Sequence, residues 1–219
     1  TTISSTILCM RRQVSVDFLY RDMEKERERR LRKELQGKKW VFDNVAAEGQ
    51  IRFGDWFQVC NTIATLCNDA FLLEGYRQEE GYYILPNGDR IEEEVVNPAV
   101  SRKRRDEACA MIFPYAYEAG ELRHYTDEEF RERFPCAVEH LERFRERLKK
   151  RASDKNAAWF EYGRGQALQK IQYRKAVLPS ILTSRIRVTI VAEDVVPCAG
   201  FMITERGGRT LEDAKNILE

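Results

Sequence analysis

The sequence predicts an α+β fold, a mixed β-sheet with long charged helices packed on or beside it. Three observations carry this expectation. Pro86-Asn-Gly88 separates two β-type runs, Gly81-Tyr-Tyr-Ile-Leu85 and Asp89-Arg-Ile-Glu92. Asn-Gly in that setting is the strongest short hairpin signal in the chain. Arg185-Ile-Arg-Val-Thr-Ile-Val191 alternates polar and apolar residues, the period of a strand. Residues 22–35 and 136–151 read as charged helices, and in the first opposite charges recur three and four apart, the spacing of neighbours on a helix surface.

Taken in order, Ile3 to Met10 is short, apolar and β-branched at its start, which predicts a strand ended by Arg11-Arg12. A second β-type piece spans Gln13 to Tyr20. Asp22 to Leu35 predicts a helix whose apolar stripe is only Met23, Leu31 and Leu35. A solvated face and a helix laid along a DNA backbone both fit it. Gly37-Lys-Lys39 breaks this helix and Trp40-Val-Phe42 starts the next body, so a boundary is expected between 1–39 and 40–219. Asp55 suits the N-cap of a short helix starting at Trp56. Residues 59–73 read as strand, loop, strand. Asn97-Pro98 reads as a turn, and Ala108 to Tyr117 as a strand closed by Gly120. Thr126-Asp-Glu-Glu129 is a capping box opening a helix through Phe134. Pro135 suits the first position of the next helix. Val138, Leu141, Phe144 and Leu148 then repeat at helical spacing as far as about Arg151. The stretch 171–182 is apolar, with Arg174, Lys175 and Pro179 as punctuation. Phe201 to Thr204 predicts a strand, and Leu211 to Leu218 a helix.

Composition narrows the function classes. The 219 residues are 43% hydrophobic and 33% charged, with a net charge of only +1. A nucleic-acid surface would therefore be a local patch. The six cysteines form no CxxC pair, and His124 and His140 are the only histidines, which argues against a zinc site. Scattered thiols fit a reducing cytoplasm. No apolar run reaches membrane-spanning length. Thr1 reads as a strand entered midway and Glu219 as a helix left unfinished, so both ends look cut. No phosphate loop, dinucleotide fingerprint, nucleophile elbow or zinc-protease motif is present, and no carboxylate–carboxylate–lysine cluster suggests a nuclease.

Two stretches invite a binding role. Ser101-Arg-Lys-Arg-Arg105 concentrates four cations. Phosphate or acidic-partner contact and a merely solvated loop both fit Arg102, Lys103, Arg104 and Arg105. Trp159-Phe-Glu-Tyr-Gly-Arg-Gly-Gln166 places Arg164 between Gly163 and Gly165, with Gln166 beside it. Glycines permit close backbone approach, and Arg and Gln are the side chains that grip purine edges, Arg also phosphate. An aromatic pair in a core, Trp159 and Tyr162, with a turn beyond it fits the same residues.

The order of these pieces resembles the C-terminal target-recognition region of Taq-type adenine-specific DNA methyltransferases, including fused restriction–methylation enzymes. Ile51-Arg-Phe-Gly-Asp55, Asn61-Thr-Ile-Ala-Thr65 and Asn68-Asp-Ala-Phe71 are similar to that family's L-G-D, G-I-x-T and N-x-x-F entry, with Asn61 where Gly is usual. Ile112-Phe-Pro-Tyr115 matches I-F-P-Y. Phe134-Pro-Cys-Ala137, Leu141 and Leu148-Lys-Lys-Arg151 resemble the Y-P-x-A, Y-L and L-x-x-R block. Trp159 to Gln166 resembles W-Y-x-x-G-R-x-Q, and Lys175 to Pro179 resembles K-x-x-x-P. The resemblance implies a specificity module that binds duplex DNA. Residues 1–39 would then be the end of an upstream methyltransferase domain, which would hold S-adenosylmethionine, and 40–219 the target-recognition domain. No cofactor is expected in the present residues. The implied DNA contacts are Arg164 and Gln166 for positioning or readout, Arg102, Lys103, Arg104 and Arg105 for phosphate, and Lys175. Trp159, Tyr162 and Gly163 would shape the platform. The alternative is a protein-interaction module using the charged helices.

Overall fold

The computed structural model describes residues 53–101, 109–179, 186–198 and 200–219. The expected strands before residue 21, the 22–35 helix, the boundary after residue 39 and the basic run at 102–105 lie outside the described residues. Within them the fold is α+β, with strands in several sheets and helices against them.

The first sheet has the order β1 (Phe57–Asn61), β13 (Phe201–Glu205), β10 (Lys175–Leu178), β11 (Thr189–Val191), all antiparallel. The strand period of two sorts its residues between two faces. Phe57, Ile203, Ala176 and Leu178 pack against Leu211 and Ala214 of the C-terminal helix α7 (Leu211–Leu218). Cys60 and Met202 face the main core instead. The second sheet has the order β12 (Val196–Cys198), β6 (Val96–Ser101), β7 (Cys109–Ile112), β2 (Leu72–Leu73). A meander of β3 (Arg77–Glu79), β4 (Tyr82–Ile84) and β5 (Arg90–Glu92) and a hairpin of β8 (Tyr115–Glu118) and β9 (Glu121–His124) complete the strands.

The expected hairpin forms at Asn87-Gly88, but not with a two-residue turn. Gly88 N–H donates to the Leu85 carbonyl at 2.9 Å, and Leu85 N–H to that of Asp89 at 2.8 Å. Pro86 supplies the fixed φ of a first turn position, and Gly88, at φ +89°, takes the left-handed position after it. A second hairpin was not foreseen. Ala119 and Gly120 both have positive φ, 49° and 83°, and join β8 to β9.

Three further expectations are corrected. The short helix α1 is Phe53–Trp56, so Asp55 lies inside it rather than capping it. A helical turn, α2 (Asn68–Phe71), stands between β1 and β2. Asn97-Pro98 is strand, not turn: Pro98 pairs with Ala110, and the parallel partner β12 begins only opposite Ala99. Pro98 thus has one neighbour rather than two, where a missing N–H is tolerated.

The capping box is present. Thr126 Oγ1 accepts from Glu129 N–H at 3.1 Å, and Thr126 N–H donates to Glu129 Oε2, opening α3 (Asp127–Arg133). Pro135 starts α4 (Pro135–Glu142). The helix expected to reach residue 151 is instead two, α4 and α5 (Arg145–Lys149). Between them Arg143 and Phe144 bond back only three residues, to His140 and Leu141, which tightens the turn and redirects the axis. Val138, Leu141 and Leu148 still reach one core. There Phe130 and Phe160 stack with centroids 4.3 Å apart, and Tyr162 meets Phe71 and Tyr115 edge-on, each at 5.2 Å.

Candidate nucleic-acid interface

The segment 159–166 begins inside the protein and ends on its surface. Phe160, Glu161 and Tyr162 are buried. Tyr162 Oη donates to the Ile112 carbonyl at 2.7 Å, and its N–H donates to Tyr115 Oη at 2.8 Å. Burial pushes both phenols up, so each stays protonated. Glu161 is only 2% exposed. Its carboxylate meets His124 Nδ1 at 2.5 Å and accepts from Ala158 N–H at 2.9 Å. Trp159 donates from Nε1 to Asp127 at 2.6 Å, with Arg145 at 4.6 Å and Arg131 at 5.6 Å from its ring centroid. Trp159 and Tyr162 are therefore committed to packing.

The chain then emerges as a clasp. Ala64 and Arg164 form an isolated antiparallel bridge, N–H to carbonyl at 2.9 and 3.2 Å in the two directions. A Cβ on Gly163 would stand 2.5 Å from Leu66 Cδ1 and 2.7 Å from Cγ, so a side chain there would have to displace Leu66. Asp154 closes the clasp. Its carboxylate accepts from Gly165 N–H at 3.0 Å and from Arg164 Nη1 at 2.8 Å, and those bonds, the glycine's first, hold its pKa below the usual range. Arg164 remains 44% exposed in its side chain. Gln166 is exposed too and donates to the Thr62 carbonyl at 3.2 Å. Arg151 ties the clasp down from behind. Its guanidinium donates to the carbonyls of Leu148, Thr65, Trp159 and Glu161 at 2.5–3.0 Å.

Lys175 is not where a DNA contact would be. It is 0% exposed. Its ammonium donates to the carbonyls of Ile171, Tyr173, Ala192 and Glu193, the last three at 3.1, 3.0 and 2.9 Å. All its donors are spent inside, which corrects the expectation of a surface cation. Among the implied contacts, only Arg164 and Gln166 are brought together on a described surface.

Sequence reasoning missed what lies beside them. After Gln166 come α6 (Leu168–Ile171), Tyr173 and Arg174. Gln58, Lys170, Tyr173, Arg174, Thr204 and Glu205 line a groove of about 460 Å³. Gln166 bonds the Thr62 carbonyl just after β1, and Gln58 of β1 lines the groove with Lys170 and Tyr173. The spacing of Gln166, Lys170 and Tyr173, one helical face, was the available signal. Among the described residues no group of three His, Cys, Asp or Glu side chains is placed to hold a metal ion, and no helix is long and apolar enough to cross a membrane. No model of a known protein family matches the chain, and no curated protein matches it.

Proposed function

We propose that the chain is the DNA target-recognition module of an adenine-N6 DNA methyltransferase or a fused restriction–modification enzyme. It binds duplex DNA, and a methyltransferase domain N-terminal to it carries S-adenosylmethionine and transfers the methyl group. The observation that supports this reading best is the clasp. It holds Arg164 and Gln166 outward on a backbone fixed by Gly163, Asp154 and Arg151, so little ordering entropy is lost on binding. The Arg164–Asp154 pair does not oppose it. An exposed pair contributes about 0–1 kcal/mol, whereas a bidentate Arg contact to a base edge contributes about 1–3 kcal/mol of discrimination.

The competing reading, a protein-interaction module built on charged helices, has less support in the described helices. Arg131 is bonded to Asp127 and Glu142, Arg145 to Glu142, and Arg147 to Asp69. These charges are matched within the chain. The two readings separate by experiment. The chain is used to select sequences from a random duplex pool, and binding is repeated at rising salt. The DNA reading expects an enriched site, affinity that falls steeply with salt, and relaxed choice at one position in Arg164→Ala. Failure to enrich any sequence, with no salt-sensitive duplex binding, removes it.

A further inference from the structure

The groove beside the clasp has features that duplex readout by Arg164 and Gln166 does not use. Tyr173 is 57% exposed. Among the described residues its ring meets no other ring and no cation, and its hydroxyl has no hydrogen-bond partner. Lys170, three residues before it, forms no ion pair with a described carboxylate, unlike the arginines of α3 to α5. The neighbouring Arg174 is taken by Glu212 at 2.5 Å. Across the groove stand Gln58 and Thr204, directly paired on β1 and β13. Neither side chain is hydrogen-bonded within the described residues. Glu205 also lines it, its Oε1 accepting from Leu211 N–H at 2.9 Å.

We propose that this groove takes one unstacked nucleotide of a DNA strand, with its base on the face of Tyr173, its phosphate at Lys170, and its base edge toward Gln58 and Thr204. The proposal rests on reading the chain as DNA-binding. Four arguments support it. An aromatic face next to an unpaired cation is the minimal pair for single-stranded nucleic acid, since every base has a π-face and every nucleotide a phosphate. Free amide and hydroxyl groups opposite the ring supply the donors and acceptors that a base edge needs. A volume of about 460 Å³ falls within the range of small-molecule sites. With Arg174 taken by Glu212, Lys170 is the groove's cation left to meet the phosphate.

The fold also holds the platform still. Two of the carbonyls gripped by the Lys175 ammonium belong to Ile171 and Tyr173. The turn that presents the Tyr173 ring is thereby pinned to the loop at Ala192 and Glu193. Lys175 acts as a positioning residue, beneath the surface it supports.

The test uses fluorescein-labelled single-stranded oligodeoxynucleotides and the matching random-sequence duplexes, with affinity read by anisotropy. Five proteins are compared: the unaltered chain, Tyr173→Ala, Tyr173→Phe, Lys170→Ala and Arg164→Ala. Tyr173→Ala should weaken single-strand binding by about 10-fold, the loss of one stacked base. Tyr173→Phe should stay within about twofold, because stacking needs the ring and not the hydroxyl. Lys170→Ala should weaken it and flatten its salt dependence. Arg164→Ala should weaken duplex binding, which the proposed function assigns to it. Circular dichroism verifies that each variant is folded. Single-strand binding that Tyr173→Ala leaves intact overturns the groove, even if duplex binding still depends on Arg164. Duplex binding with no affinity for single strands does the same while sparing the duplex reading. Absence of both kinds of binding overturns both.

Discussion

Raising the pH from 8 to 9 should stabilise the folded chain by about 1 kcal/mol through Lys175 alone. Burial pulls the Lys175 ammonium down from 10.5 to about 8, against a weaker upward pull from Asp194 and Glu193. Between those two values the unfolded chain binds more protons at this position than the folded chain, so stability rises with pH. The contribution is complete above the unfolded value and is lost as pH falls through about 8. From pH 8 to 9 folded Lys175 goes from about half to about one-tenth protonated, while unfolded Lys175 stays almost fully protonated. Integrating the difference gives about 1 kcal/mol. Cysteines oppose this. Burial raises Cys60, and raises Cys198 to about 11, so their contribution is present below the unfolded thiol value and declines as pH rises past it. The quantity to measure is therefore the stability difference between the unaltered chain and Lys175→Met, in which the thiol terms cancel. Urea unfolding followed by tryptophan fluorescence at pH 7, 8 and 9 supplies it. Lys175→Met leaves buried carbonyls without donors and should be less stable at pH 7 by about 1–3 kcal/mol. The gap should widen by about 1 kcal/mol between pH 8 and 9. A gap of constant width would refute the claim that Lys175 is a buried, depressed cation.

Two further substitutions probe the frame around the interface. Gly200 has φ +133°, and a Cβ there would lie 2.2 Å from the Leu178 carbonyl oxygen. Gly200→Ala should therefore cost on the order of 3 kcal/mol or more, seen as a drop in Tm, and a Tm within 2 °C of the unaltered chain's (roughly 0.5 kcal/mol for this size) would contradict it. Arg151→Lys keeps the charge but cannot span the four carbonyls of Leu148, Thr65, Trp159 and Glu161. It should lower stability by about 2 kcal/mol and loosen the clasp, so that duplex affinity falls although residue 151 need not touch DNA. Unchanged urea midpoint and affinity would show that the guanidinium does not tie the clasp.

The legible parts of the fold were those decided within a few residues. The Thr126 capping box, Pro135 at a helix start and the turn at Asn87-Gly88 each rest on one side chain or one dihedral, so the residue types announce them. Pairings between distant strands announce nothing locally. Nothing in Phe57–Asn61 says that its partner is Phe201–Glu205, or that Val196–Cys198 runs parallel to Ala99–Ser101. Pro98 misled for the same reason, since its tolerance depends on where a distant partner strand begins. In the candidate interface, the glycines around Arg164 were readable because a close approach demands them. Asp154 and Tyr173 were not, because their meaning lies in what does or does not face them in three dimensions. Lys175 shows the limit most sharply. A lysine before an apolar run reads as surface, and only the four carbonyls around its ammonium make it interior.

These placements bear on how a chain with a net charge of +1 could bind a polyanion. Affinity for phosphate depends on cations that can trade their partners, not on the sum of charges. The arginines of α3 to α5 are held by carboxylates within the chain, and Arg151 and Lys175 are spent on backbone carbonyls. What remains at the clasp and its groove is small: Arg164, whose one carboxylate partner is exposed, and Lys170, which has none among the described residues. Two cations, an amide and an open aromatic ring on a fixed backbone give weak attraction but a defined geometry. That division suits a part that selects where binding occurs while other surfaces supply most of the affinity, since phosphate contacts position and base contacts specify.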